Sequence, residues 1–289
     1  MDLDYTIAYR CALLANAVYQ DLDEGATYPV LPDASANFIN SEKTDTQLAI
    51  VTTEEAGQAV GYVVFRGSQG EADWRINLRV QQEMFDLAQR PAGTEAMAPE
   101  TLVETVEEVA QEEYQQEVKA VVEQVVEQNE LMYPDEYAPS SRPVKMHSGF
   151  IRAYLSVRQQ IHDAVKQSGI TQWRITGHSL GGALANLCGL DLQYNFGLAI
   201  QVYTFGAPKV GNSAFVDSYN GRVPASWRLV YGWDIVAKLP RWWQGRYQHV
   251  DNLVTFGRGF SLRVVSGSIQ DHRMVNYVEV LNRKATQQL

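Results

Sequence analysis

Gly177-His178-Ser179-Leu180-Gly181 sets a serine between two glycines. The residues before it, Trp173 to Thr176, alternate like a strand. Those after it, Leu180 to Leu187, are apolar and Ala-rich with leucines at helical spacing. A strand that turns sharply into a helix strains its central residue. Flanking glycines, lacking Cβ, let strand and helix close on each other. The serine hydroxyl is then presented at the end of a sheet, beside a helix N-terminus that favours a nearby oxyanion. The bare pattern arises by chance in roughly one chain of this length in ten, so the strand and helix around it carry the weight.

A serine hydroxyl is a weak nucleophile at neutral pH. It needs a base within hydrogen-bond reach, and the base needs a carboxylate to hold its tautomer. In open α/β sheets such groups gather beyond the carboxyl ends of strands. Of the five histidines, His178 adjoins the serine and should point away from it. His162 lies mid-helix among polar neighbours and reads as a surface residue. His147 and His249 precede a helix and a strand. His272 follows the last strand and starts the last helix, which makes it the preferred base, with His249 as the alternative. Asp234 ends the strand Leu229-Val230-Tyr231-Gly232-Trp233-Asp234 and is the preferred carboxylate. Asp191 and Asp217 sit in helices and read as solvated, Asp251 adjoins His249, and Asp271 reads as a helix cap. The order Ser179, Asp234, His272 is that of α/β-hydrolases. Phe65-Arg66-Gly67-Ser68 ends a strand. It reads either as a plain turn or as a source of unpaired N–H donors for an oxyanion, aided by the Ser68 hydroxyl.

The elements that must position these groups are legible in outline. A helix is expected over 4–20, strands over Thr46–Thr53 and Ala59–Phe65, a helix over 150–168 capped by Gly169, and strands over Leu198–Phe205 and Trp227–Tyr231. Val250–Phe256 and Phe260–Val265 read as a terminal hairpin. A last helix follows His272, with Val275, Val278 and Leu281 on its apolar side. Strands alternating with helices imply a mostly parallel sheet covered on both faces. We read residues 1–289 as a single α/β domain with an acidic helical insertion at 79–143. Residues 83–141 hold 15 Asp/Glu against two Lys/Arg, a net of −13, so the rest of the chain carries +3. A valine stripe from Leu102 to Val126 makes this segment amphipathic. It reads as an ordinary packed helix, as a cap over the site, or as both.

The 289-residue length suits one large α/β domain. A net charge of −10 argues against nucleic acid as a partner. Cys11 and Cys188 lie in apolar helical runs and read as buried thiols. There is no metal-ligand cluster, and the proposed chemistry requires no cofactor. No 18-residue apolar run suggests a transmembrane segment. The N-terminus lacks a basic n-region and an apolar core, which fits a cytoplasmic protein or a secreted one already trimmed of its leader.

The chain also resembles a known family. Phe65-Arg66-Gly67-Ser68, Asp73-Trp74, His147-Ser148-Gly149-Phe150, Gly177-His178-Ser179-Leu180-Gly181-Gly182, Phe205-Gly206-Ala207-Pro208-Lys209-Val210-Gly211, Asp234-Ile235-Val236-Ala237-Lys238-Leu239-Pro240 and Tyr247-Gln248-His249 fall in the order seen in class 3 lipases. These are the fungal-lipase-like branch of the α/β-hydrolases. The resemblance covers nearly all of the chain except 79–143. It implies an α/β-hydrolase fold and an ester hydrolase with Ser179 as nucleophile, Asp234 as carboxylate and His272 as base. It further implies an oxyanion hole from Ser68 and the Leu180 N–H, structural places for His147 and His249, and a short lid helix around Glu71–Leu78. The long acidic insertion departs from the family pattern.

Trp74, Leu78, Trp242 and Trp243 are candidates for an apolar substrate rim, which would suit acyl chains and transient contact with a lipid surface. An acylglycerol or other lipid ester is the expected substrate. The alternatives are a phospholipase A1, a feruloyl esterase or a soluble-ester carboxylesterase. Outside enzymes, the alternative is an inactive scaffold with an acidic interaction arm.

Overall fold

A computed structural model describes residues 2–19, 31, 34–67, 144–239, 247–257 and 271–288. All of these belong to one compact unit, Met1–Gly67 with Glu130–Leu289. The expected insertion at 79–143, the lid candidate at Glu71–Leu78 and the second half of the expected terminal hairpin lie outside the described residues.

Seven strands form one sheet in sequential order: β1 (Ser35–Ser41), β2 (Thr46–Glu55), β3 (Gln58–Phe65), β4 (Gln172–His178), β5 (Ala199–Phe205), β6 (Ser226–Tyr231) and β7 (Leu253–Phe256). β1 to β3 form an antiparallel meander, and from β3 to β7 every neighbour is parallel. The expected α/β-hydrolase architecture is therefore present. β1 was not anticipated. Its sequence, Ser-Ala-Asn-Phe-Ile-Asn-Ser, is polar because it is an edge strand in which only Ile39 is buried.

The period-2 alternation of the strands divides two cores. Ile50, Val63, Ile175 and Val202 face one side, where α2 (Ser148–Ser168), α3 (Leu180–Phe196) and α4 (Ser213–Arg222) cover them. Val51, Val64, Tyr203 and Phe205 face the other side, against α1 (Tyr5–Ala17) and α5 (Met274–Gln288). Asp4 starts α1 by accepting from the Thr6 and Ile7 N–H groups at 2.8 and 3.1 Å. Gly169 ends α2 in the left-handed region at φ 65°. α3 is buried along almost its whole length, which explains its lack of a polar face: it lies between the sheet and its neighbouring helices. Cys11 and Cys188 are buried free thiols. In α5 the buried stripe is Met274, Tyr277 and Leu281, while Val275 is exposed. This shifts the expected apolar face.

Among the described residues, no helix is long and apolar enough to cross a membrane.

Candidate active site

β4 runs straight into α3, and Ser179 stands at the junction with φ 57° and ψ −129°. A side-chain-bearing residue is rarely found there. The turn is possible because its flanks are bare. A Cβ on Gly177 would strike the Gly181 carbonyl, and one on Gly181 would lie 2.5 Å from the Phe65 carbonyl oxygen. The Ser179 N–H donates to the Phe205 carbonyl at 3.0 Å, tying the turn to the end of β5. Ser179 Oγ is buried and has no hydrogen-bond partner among the described residues. A buried hydroxyl without a partner is an exception that calls for a role.

Asp234 lies just beyond β6, fully buried. Its Oδ1 accepts from the Val236 N–H at 2.9 Å, and its Oδ2 accepts from the Tyr277 hydroxyl at 2.5 Å. His272 Nδ1 sits 3.0 Å from Oδ1 and 2.8 Å from Oδ2. A carboxylate only accepts, so Nδ1 carries the proton and Nε2 is left as the basic nitrogen. Gly206, at the end of β5 with φ 58°, makes room for this pair. A Cβ there would collide with the Asp234 carboxylate and lie 2.9 Å from His272 Nδ1.

The structure thus brings Asp234 and His272 into contact and sets the His272 ring against His178, the residue before Ser179. Those two ring centroids are 4.4 Å apart. His178 turns away from Oγ as expected. Its Nε2 lies 2.6 Å from the His272 carbonyl and its Nδ1 lies 2.9 Å from the Tyr19 hydroxyl. Burial, with His272 alongside, pushes its pKa down to about 3, so it stays neutral.

The alternative groups are committed elsewhere. His249 gives its Nε2 proton to the Ala237 carbonyl at 2.5 Å, bracing the turn after Asp234, and burial with Arg228 nearby pushes its pKa to about 3. It is a brace, not a second base. His147 stacks on Phe150 at 4.2 Å. Asp217 and Asp251 are exposed.

Three readings are corrected. Asp191 is buried, not solvated: it binds Arg158 Nη2 at 2.9 Å, His162 Nε2 at 2.5 Å and the Tyr154 hydroxyl at 2.7 Å. His162 is correspondingly buried, not a surface residue. Asp271 accepts from the Trp233 N–H at 2.8 Å and so ties down the turn after β6, not a helix end.

Ser68, Trp74, Leu78, Trp242 and Trp243 lie outside the described residues. Leu180 is the first residue of α3, where N–H groups lack intrahelical partners. Among the described residues no cluster of His, Cys, Asp or Glu could hold a metal ion. The residue that went unread in the sequence is Tyr277. The signal for it was the spacing Met274, Tyr277, Leu281, which places it on the buried face of the last helix.

Comparison with known proteins finds lipases. The family model described as lipase (class 3) matches residues 123–243. A lipase of Caenorhabditis elegans is 44% identical over 91 residues, covering 28% of this chain and 25% of its own length. A secreted mono- and diacylglycerol lipase of Fusarium solani is 34% identical over 99 residues, covering 33% of this chain and 29% of its own length. The chain thus aligns with under a third of either relative. A solved triacylglycerol lipase whose catalytic centre is a serine-protease triad superposes with a TM-score of 0.58 at 23% identity, over 86% of this chain and 79% of that one, which is a likeness of fold. The motifs and the matched segment resemble those of class 3 lipases, and the chain shares the α/β-hydrolase fold of the fungal-type lipases.

Proposed function

We propose that the protein is a serine carboxylic ester hydrolase acting on acylglycerol or related lipid esters. Ser179 is the nucleophile, His272 the base, Asp234 its carboxylate, and Ser68 with the Leu180 N–H the oxyanion donors. The observation that carries this reading is the Asp234–His272 pair, with Nδ1 2.8 Å from the carboxylate, beside a strained serine turn whose Oγ is uncommitted.

In this mechanism His272 Nε2 takes the Ser179 proton as Oγ attacks the ester carbonyl. The tetrahedral oxyanion rests on N–H and hydroxyl donors, each worth about 3–4 kcal/mol in comparable sites. The imidazolium is stabilised by Asp234 and passes its proton to the leaving alcohol. Water then repeats the sequence on the acyl-enzyme. Asp234 is held by Tyr277 and the Val236 N–H, so its charge is balanced before the reaction begins.

The lipid class of substrate is supported by the Fusarium solani relative named above, a mono- and diacylglycerol lipase. The test is hydrolysis of p-nitrophenyl and glyceryl esters from short to long acyl chains, above and below their solubility limit. Turnover that rises with chain length and at the oil surface is expected. Turnover of soluble short esters alone would make the protein an esterase, and no turnover of any ester would end the hydrolase reading.

A further inference from the structure

We propose that Tyr19 and His178 form a positioning bridge that ties together the three segments carrying the reaction machinery. These are the end of β3 before Ser68, the Ser179 turn, and the loop of His272. The inference rests on the ester-hydrolase reading and deepens it.

The bridge is read from donor and acceptor chemistry. The His272 carbonyl can only accept, so His178 Nε2, 2.6 Å away, must donate to it. A neutral imidazole has one proton, so Nδ1 is an acceptor, and the Tyr19 hydroxyl 2.9 Å away must donate to it. The Tyr19 oxygen also packs against Gly67, leaving no room for a Cβ there. One chain of hydrogen bonds therefore runs from Tyr19, packed on Gly67, through His178 to the main chain of His272. Each link has a single allowed direction, because His178 is held neutral by burial.

The packing has the same focus. A Cβ on Gly67 would overlap the Tyr19 hydroxyl and lie 2.8 Å from the His178 carbonyl and 3.3 Å from Ser179 Cβ. The His178 and His272 rings face each other at 30°, and Arg66 lies over the Tyr19 ring at 5.9 Å. Tyr19 follows α1, far in sequence from the other members. It is wedged where the β3 loop meets the nucleophile turn. His178 spends both ring nitrogens on Tyr19 and the His272 carbonyl, so neither residue bonds to Ser179 Oγ, although the His178 ring packs against the His272 imidazole. They act by fixing where the His272 main chain lies, and hence whether its imidazole stays aligned between Asp234 and Ser179. A displacement of about 1 Å in such a group can slow a reaction about a hundredfold.

The test uses the full chain and p-nitrophenyl butyrate, with competent sites counted by stoichiometric phosphonate labelling so that rates are expressed per titrated site. Tyr19→Phe breaks the Tyr19–His178 link. His178→Gln breaks the same link but keeps an amide donor near the place of Nε2. Each should lower kcat about tenfold with KM within about twofold, and the double variant should be no slower than the slower single variant. His178→Leu should lose about a hundredfold, so that Gln restores about tenfold of it. Wild-type kcat per titrated site in both Tyr19→Phe and His178→Gln would overturn the proposal. So would a loss explained wholly by fewer titratable sites, since that is what a merely structural role predicts. If His178→Leu fails to fold, the Tyr19→Phe and His178→Gln pair decides alone. Absence of wild-type turnover would sink the hydrolase reading itself, whereas wild-type turnover with unaltered variants sinks the bridge alone.

Discussion

The Tyr277 hydroxyl lies 2.5 Å from Oδ2 of Asp234, inside the protein and on the same oxygen that His272 Nδ1 approaches at 2.8 Å. The phenol also accepts from the Tyr231 N–H at 3.1 Å, so one side chain joins the last helix to the end of β6 and to the carboxylate. A hydrogen bond to a charged group contributes about 1.5–3 kcal/mol. Tyr277→Phe should therefore lower the unfolding free energy by about that amount in a urea titration. It should also slow ester turnover about tenfold, because Asp234 is then held by fewer donors.

Ser179 has a backbone that favours glycine, with strain of about 1–3 kcal/mol. Ser179→Ala should end phosphonate labelling and leave stability nearly unchanged, since alanine inherits the strain. Ser179→Gly should also end labelling but raise the unfolding free energy by about 1 kcal/mol, part of the relief being offset by glycine's greater freedom in the unfolded chain. Retained labelling in either variant would remove Ser179 from the mechanism.

Gly206 stands at φ 58° against the Asp234 carboxylate. Gly206→Ala combines an unfavourable backbone with a collision at the carboxylate. A loss of about 2 kcal/mol or more is expected, along with turnover reduced at least tenfold. A variant with wild-type stability and rate would show that the Asp234–His272 pair tolerates displacement.

Buried imidazoles predict acid sensitivity. His178 and His249 both have pKa values pushed down to about 3, chiefly by burial. In the unfolded chain they titrate near ~6.5. Between these values the unfolded state binds more protons, so stability should fall as pH drops from ~6.5 towards 3. Urea midpoints measured across this window should decline before carboxylates begin to titrate. Midpoints flat down to pH ~4.5 would contradict the burial of these rings.

A second acid step belongs to Asp191. Burial alone would raise its pKa, but hydrogen bonds from His162, Arg158 and Tyr154 outweigh this and hold it below its ordinary value. The stability it confers is present above the ordinary aspartate range and is lost as pH falls through the lower folded value. Asp191→Asn should destabilise the protein by about 1.5–3 kcal/mol at pH 7, since it removes the buried charge that Arg158, itself partly exposed, binds. The difference from the parent should shrink at low pH. A constant difference from pH 7 to pH 3 would argue against an ionised Asp191.

Much of this was legible along the chain. The turn at Ser179 was readable because its flanks must be glycine: any side chain at 177 or 181 meets backbone. Asp234 and His272 were readable because each follows a strand at the end of the sheet where ligands gather. β1 was not readable, because an edge strand with one buried residue has little hydrophobic pattern to show. Asp191 and His162 were misread because a polar residue in a helix looks the same whether it meets solvent or a buried partner on the next helix. The period of an element reports which face is apolar. It does not report which polar side chains on two different elements will meet.

The sequence by itself determined the strand–turn–helix at Ser179, the alternation that splits the sheet into two covered faces, and the order of serine, carboxylate and histidine. These are local properties, set by which backbone angles and side-chain periods the residues allow. Only the tertiary structure decided that His272 rests on Asp234, that Tyr277 and the Val236 N–H hold that carboxylate, and that Tyr19 reaches across to His178. These partners lie far apart along the chain. A hydrogen bond between them depends on positions within a few tenths of an ångström, which packing of the whole domain sets.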